Sequence, residues 1–171
     1  KGLKVRGYIS TVMFCPYENE IESIKVAKLS EELIKMGCYE VSLGDTIGSG
    51  TPFKTKDMIK ACKEAVGVEK LAVHFHDTYG QALANILASI EIGVKVIDTS
   101  VGGLGGCPYA PGAKGNVATE DVLFMLNGMG IETGVDIEEI CSASKFVFEK
   151  LGRIPSSRVY NALASKKKRI N

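Results

Sequence analysis

Apolar and polar residues alternate along this chain with two periods in turn, first that of a strand and then that of a helix. Val5 to Ser10 predicts a strand. Ile21 to Met36 carries apolar residues at 26, 29, 33 and 36, one face of a helix that Gly37 stops. Cys38 to Leu43 predicts a second strand, and Thr51-Pro52 opens a second helix with threonine as N-cap and proline in its first turn. Met58, Ile59, Cys62 and Val66 form the inner stripe of that helix. Leu71 to Phe75 predicts a third strand. A helix follows, with Leu83, Ile86, Leu87 and Ile90 on one face and Gly93 at its end, and Val94 to Ile97 predicts a fourth strand. After a glycine-rich stretch, helices are predicted over 119–127 and 136–151, the second opened by Asp136 with Glu139 at capping-box spacing.

Four strand–helix units in succession imply a parallel sheet, because parallel strands need crossover helices. Two α/β architectures meet that pattern: a small doubly wound sheet, or part of a (β/α)8 TIM barrel. Asp45, His74, His76, Asp77 and the loop 102–116 all fall at or just after C-terminal strand ends. Barrels build their sites there, as open sheets also do, so the placement tilts the reading toward the barrel. Residues 1–155 read as one catalytic-domain segment and 156–171 as a C-terminal tail.

A formal net charge of +1 argues against a nucleic-acid partner. The basic run from Lys166 to Arg169 reads as a solvated tail. No apolar stretch approaches ~20 residues, so no membrane span is expected. The N-terminus passes directly into a strand pattern without a signal-peptide pattern. Five cysteines, an odd number with no Cys-x-x-Cys pair, argue against a disulfide framework and for a reducing compartment.

Three groups of residues carry candidate chemistry. His74 and His76 are the two histidines of the chain, and strand alternation points both to one side with Ala72. Two imidazoles so spaced can hold one divalent metal, or can be a buried hydrogen-bonded pair. The stretch Gly102 to Asn116 has six glycines and two prolines around Cys107. It suits a loop that brings backbone close to a ligand. Cys107 there is a candidate acid, base or nucleophile, or an incidental loop cysteine. Asn116 can offer an amide oxygen to a metal or cap a helix, although Thr119 is the better cap for the helix at Glu120-Asp121. Asp45 in Gly44-Asp45-Thr46-Ile47-Gly48 is a candidate general base or a turn aspartate. Strict alternation puts it on the packing face with Val41 and Leu43.

Several of these segments together resemble a known family. His74-Phe75-His76-Asp77-Thr78-Tyr79-Gly80-Gln81-Ala82-Leu83-Ala84-Asn85 and Gly103-Leu104-Gly105-Gly106-Cys107-Pro108-Tyr109-Ala110, followed by Gly115-Asn116, are similar to the motifs of 3-hydroxy-3-methylglutaryl-CoA lyases. Val5-Arg6-Gly7-Tyr8, Cys15-Pro16-Tyr17 and Ser42-Leu43-Gly44-Asp45-Thr46-Ile47-Gly48 resemble the same family, and the likeness runs from about residue 3 to about residue 155. The related synthases share His-x-His and a later Gly-Asn. They continue His-x-His-Asn-Asp and lack Gly-Gly-Cys-Pro-Tyr, so Asp77-Thr78-Tyr79 and the Cys107 loop favour the lyases.

The resemblance implies a TIM-barrel enzyme, present here as about four βα units of the C-terminal half-barrel plus C-terminal helices. It implies divalent-metal-dependent cleavage of 3-hydroxy-3-methylglutaryl-CoA to acetyl-CoA and acetoacetate. Mg²⁺ or Mn²⁺ would be held by His74, His76 and Asn116. Proton transfer would involve His74 and Asp45, Cys107 would act in catalysis, and Ser42 and Thr46 would contact substrate. The family's first-strand Arg-Asp pair has no counterpart, since the chain contains no Arg-Asp dipeptide. A fragment that needs its N-terminal half-barrel is therefore expected, within a parent that is a homodimer. It would reside in the mitochondrial matrix if eukaryotic and in the cytoplasm if bacterial. The competing expectations are a non-catalytic, self-associating half-barrel and a related acyl-CoA or keto-acid aldolase or synthase.

Overall fold

The computed structural model describes residues 2–106 and 115–170, the last four of these by backbone alone. They form two compact units, residues 2–98 and residues 99–106 with 115–170.

The first unit contains β1 (Arg6–Ile9), β2 (Phe14–Cys15), β3 (Asn19–Glu20), α1 (Ser23–Lys35), β4 (Glu40–Asp45), α2 (Pro52–Val66), β5 (Leu71–Phe75), α3 (Ala82–Ile92) and β6 (Val96–Asp98). Four strands make one parallel sheet in the order β1-β4-β5-β6. That order decides between the two architectures. A doubly wound sheet reverses direction at a switch point; here each strand lies beside the next in the chain. α1 packs on α2 and α2 on α3, as in the outer layer of a barrel. β2 and β3 form a small antiparallel hairpin that hydrophobic periodicity does not predict, each strand being two residues long.

Helix ends shift the strand boundaries. α3 stops at Gly93, whose φ of +110° closes the helix with its own N–H on Ile90 O and the Val94 N–H on Ser89 O. Val94 is thereby spent on the helix terminus, and β6 starts at Val96 rather than at the predicted Val94. In the same way the Cys38 N–H bonds back to Leu33 O, so β4 begins at Glu40 and runs on to Asp45. Thr51 occupies the N-cap position of α2 with Pro52 behind it, as expected, but its side chain makes no capping bond.

The core of this unit lies between the sheet and its helices. Val41, Leu43, Val73 and Phe75 come from the strands, Met58, Ile59 and Cys62 from α2, and Ile86 from α3, all at most 1% exposed. Each large apolar side chain so buried contributes about 1.5–3 kcal/mol. The other face is held differently. Arg6 of β1 reaches Asp98 of β6, three strand spacings away, or ~14 Å on a flat sheet. That contact requires the sheet to curl toward the Arg6 side, as barrel strands do.

The second unit holds α4 (Thr119–Gly128), α5 (Ile137–Leu151) and α6 (Arg158–Ile170), with a short 3-10 turn at Val101–Gly103. Asp136 caps α5 as predicted, its Oδ1 accepting from the N–H groups of Glu138 and Glu139. Thr119 does not cap α4. It is the first residue of that helix, and its hydroxyl pairs with that of Thr99. Residues 158–170, read as tail from the sequence, form a helix because its start is anchored: Asp121 accepts from the Ser157 hydroxyl at 2.6 Å and the Val159 N–H at 2.9 Å. Among the described residues no helix is long and apolar enough to cross a membrane.

Candidate functional site

Register sets the polar face of the sheet. Arg6 pairs with Glu40, Tyr8 with Ser42, Ser42 with Ala72, and His74 with Asp98. Paired residues in adjacent strands point the same way, so Arg6, Tyr8, Glu40, Ser42, His74 and Asp98 share one face. Arg6 stands at the centre of a charge cluster. Its Nε donates to Glu40 Oε1 at 2.6 Å, and its Nη1 donates to both Asp98 oxygens at 2.9 and 3.0 Å. The same Nη1 donates to the Tyr8 hydroxyl at 2.6 Å, with the guanidinium 5.0 Å from the centre of the Tyr8 ring. Burial alone would weaken the Arg6 charge, but the Asp98 and Glu40 carboxylates outweigh it and keep the guanidinium protonated.

Asp98 is the shared acceptor. Ser42 Oγ donates to its Oδ2 at 2.7 Å, and His74 Nδ1 stands 3.6 Å from the same oxygen. Burial alone would raise this carboxyl, but its contacts with His74, Ser42 and Arg6, with the Arg6 charge, hold it at about 2. Asp98 is thus an anion at neutral pH. The His74 and His76 rings lie 5.5 Å apart. His76 is 6% exposed, and burial first, then proximity to His74, lowers its pKa. It is therefore a neutral imidazole at neutral pH, the form that ligates metals. Its Nδ1 is buried and has no hydrogen-bond partner.

The remaining predicted residues fall in different places. Ser42 is fully buried, with its hydroxyl committed to Asp98. Asp45 pairs in register with Phe75, which places it with the packing face rather than beside His74. Its oxygens accept from the N–H groups of Gly48 at 3.1 Å and Gly50 at 2.9 Å, so it shapes the loop that follows β4. Burial pushes its carboxyl above the ordinary value, against the opposing backbone N–H groups of Gly50, Gly48 and Ser49. Thr46 Oγ1 accepts the Thr11 N–H and ties that loop to the end of β1. Gly48, at φ +75°, passes so near His76 that a Cβ would stand 2.8 Å from the His76 carbonyl oxygen. A larger residue there would displace the backbone that carries the histidine. Asn116 belongs to the second unit. Its Nδ2 donates to Leu104 O at 2.9 Å, which orients the amide, while its Oδ1 is buried without a partner. Cys107 lies outside the described residues.

Reading by motif gave Glu40 and Asp98 no place, and included Arg6 in Val5-Arg6-Gly7-Tyr8 without assigning it a role. Their signal was present as polar residues at alternate positions of otherwise apolar strands: Arg6 and Tyr8, Glu40 and Ser42, then Asp98 two after Val96. Asn85 closes the histidine motif but was given no role. It is fully buried, and its Nδ2 donates to Gly50 O at 2.9 Å, bracing the Asp45 loop from α3.

Among the described residues no three His, Cys, Asp or Glu side chains are grouped to hold a metal. In the first unit His76 Nδ1, and in the second Asn116 Oδ1, are buried atoms without a protein partner. An imidazole nitrogen and an amide oxygen are each donor types that Mg²⁺ or Mn²⁺ accepts.

Comparison with known proteins supplies the context. The model of the HMGL-like family matches residues 4–147. The chain is 56% identical over 161 residues to the mitochondrial hydroxymethylglutaryl-CoA lyase of Gallus gallus, covering 94% of this chain and 54% of that protein. It is similar to the crystal structure of hydroxymethylglutaryl-CoA lyase from Pseudomonas aeruginosa, with 55% identity and a TM-score of 0.93 over 95% of this chain and 54% of that one. An HMG-CoA lyase from Acinetobacter baumannii, solved with coenzyme A and 3-methylmalate, is 36% identical with a TM-score of 0.87, covering 92% of this chain and 52% of the other. The chain spans about half the length of the curated relatives it matches.

Proposed function

This chain belongs to the HMGL-like family, and from that premise we propose that it forms half of a divalent-metal lyase that splits 3-hydroxy-3-methylglutaryl-CoA into acetyl-CoA and acetoacetate. The observation that carries the reading is the placement of His74 and His76 on one concave, charged face, with His76 Nδ1 buried and unclaimed by protein. By the family's motifs His74 and His76 would hold the ion through imidazole nitrogens and Asn116 through its amide oxygen, its Nδ2 being the atom that donates to Leu104 O. A carboxylate ligand and a cation for the leaving group come from the half-barrel that this chain lacks.

The reaction is a retro-Claisen cleavage. The proton of the tertiary C3 hydroxyl is removed, the C2–C3 bond breaks as the alkoxide becomes a ketone, and the electron pair leaves as the acetyl-CoA enolate, which is then protonated on carbon. A bound Mg²⁺ or Mn²⁺ supplies Lewis acidity to the oxygens of the substrate. His74 and His76 bring their rings within 5.5 Å of each other, and burial, then proximity to His74, keeps the His76 imidazole neutral. Asp45 acts by fixing the 46–50 loop through Gly48 and Gly50. Proton transfer then rests on the His74 neighbourhood and on Cys107.

The test uses the full-length protein that contains this chain. With Mn²⁺ present it should release acetoacetate and acetyl-CoA from 3-hydroxy-3-methylglutaryl-CoA. Chelation or His76→Ala should abolish turnover. Mn²⁺ at a hundredfold excess over Kd should add about 2.7 kcal/mol of stability. Metal binding without either product, or turnover of a different acyl-CoA or keto acid in a substrate panel, would overturn this assignment in favour of an aldolase or synthase.

A further inference from the structure

We infer that Asp98 is a positioning residue that fixes the tautomer of His74, holding the proton on Nδ1 so that Nε2 presents its lone pair to the metal. The inference rests on the reading of His74 as a ligand and adds a residue that neither the motifs nor the family match singled out. Asp98 and His74 are register partners on adjacent strands, so their side chains stand side by side by construction. Asp98 Oδ2 is 3.6 Å from His74 Nδ1, just beyond hydrogen-bond length and nearer than any other carboxylate on this face is shown to come. A carboxylate beside one ring nitrogen keeps the proton there and leaves the other nitrogen as the donor atom.

The alternative, that Asp98 itself ligates the ion, is opposed by its other contacts. Both of its oxygens already accept from Arg6, and Oδ2 also accepts from the buried Ser42 hydroxyl. Arg6 is in turn fixed by Glu40. Asp98 is therefore a neutralised, clamped anion suited to orienting an imidazole and poorly suited to leaving its partners for a metal. Arg6 and Ser42 set the geometry of Asp98, and Asp98 sets that of His74.

The test is ¹⁵N NMR of histidine-labelled full-length protein without metal, with the His74 signals assigned by their loss in His74→Gln, beside Mn²⁺ affinity measured by electron paramagnetic resonance. Wild-type His74 should show a protonated Nδ1 and a bare Nε2. Asp98→Asn should lose that preference and bind Mn²⁺ about 10–100-fold more weakly. A proton on Nε2 in the wild type overturns the inference, whether or not any variant folds. So does an Asp98→Asn protein with unchanged tautomer and unchanged Mn²⁺ affinity. If the wild type shows the Nδ1–H tautomer but binds no Mn²⁺, the positioning contact stands and it is the metal reading above that fails.

Discussion

The two faces of the four-stranded sheet are made from the same strands and share the same backbone ladder. Residues at 41, 43, 73 and 75 point toward α1, α2 and α3 and are apolar and fully buried. Residues at 40, 42, 74 and 98 point the other way and bring Glu40, Ser42, His74 and Asp98 together around Arg6. On the first face the free energy comes from apolar area removed from water. On the second it comes from charges that offset one another, and that face carries the candidate chemistry. A period of two thus lets one strand serve stability and reactivity without either set of residues intruding on the other.

That division predicts where substitutions act. Phe75→Ala should cost the most, about 3–5 kcal/mol in denaturant unfolding, because it empties a site that is 1% exposed between sheet and helices. A cost below about 1 kcal/mol would mean that the helix-side face is not the main source of stability.

The buried thiol of Cys62 on the same side gives the next largest effect, through pH. Burial raises its pKa from 9.0 to about 11, against a weaker opposing contact with the Ser30 hydroxyl. The folded value lies above the unfolded one. The stabilisation is therefore whole below about pH 9 and is lost as pH rises through about 11. Relative to Cys62→Ala, the wild type should lose about 2–3 kcal/mol across that window. The thiol should also resist alkylation until the protein unfolds.

On the polar face the expected changes are smaller. Ser42→Ala removes one donor from Asp98 and should cost about 1–2 kcal/mol. His74→Ala, at a side chain one third exposed, should shift metal-free stability by no more than about 0.5 kcal/mol while removing Mn²⁺ binding. A large destabilisation by His74→Ala would break the comparison, since it would make that face part of the core.

Much of this arrangement was legible in the sequence, and the rest was hidden for identifiable reasons. The alternation of strand and helix periods marked all four βα units, and Leu71–Phe75 matches the predicted strand. Strand order was not legible, because periodicity says which face is buried and nothing about neighbours. The β2–β3 hairpin escaped because two residues are too few to show a period. α6 escaped because what fixes its start is Asp121, 36 positions before Ser157. Within the site, His74 and His76 stood out as a pair in one strand. Asp98 did not, since its meaning comes from Arg6, Ser42 and His74 on three other strands. The backbone partners of Asp45 were not legible either, because the Gly48 and Gly50 N–H groups reach it only through the fold of the loop after β4.

The contact between Arg6 and Asp98 joins residues 92 positions apart and links the outermost strands of the arc. Closing so long a span costs chain entropy before the contact is rewarded. The clasp that orders the charged face is therefore a non-local tie, one that can exist only when all four strands are laid down and the sheet has taken its curve.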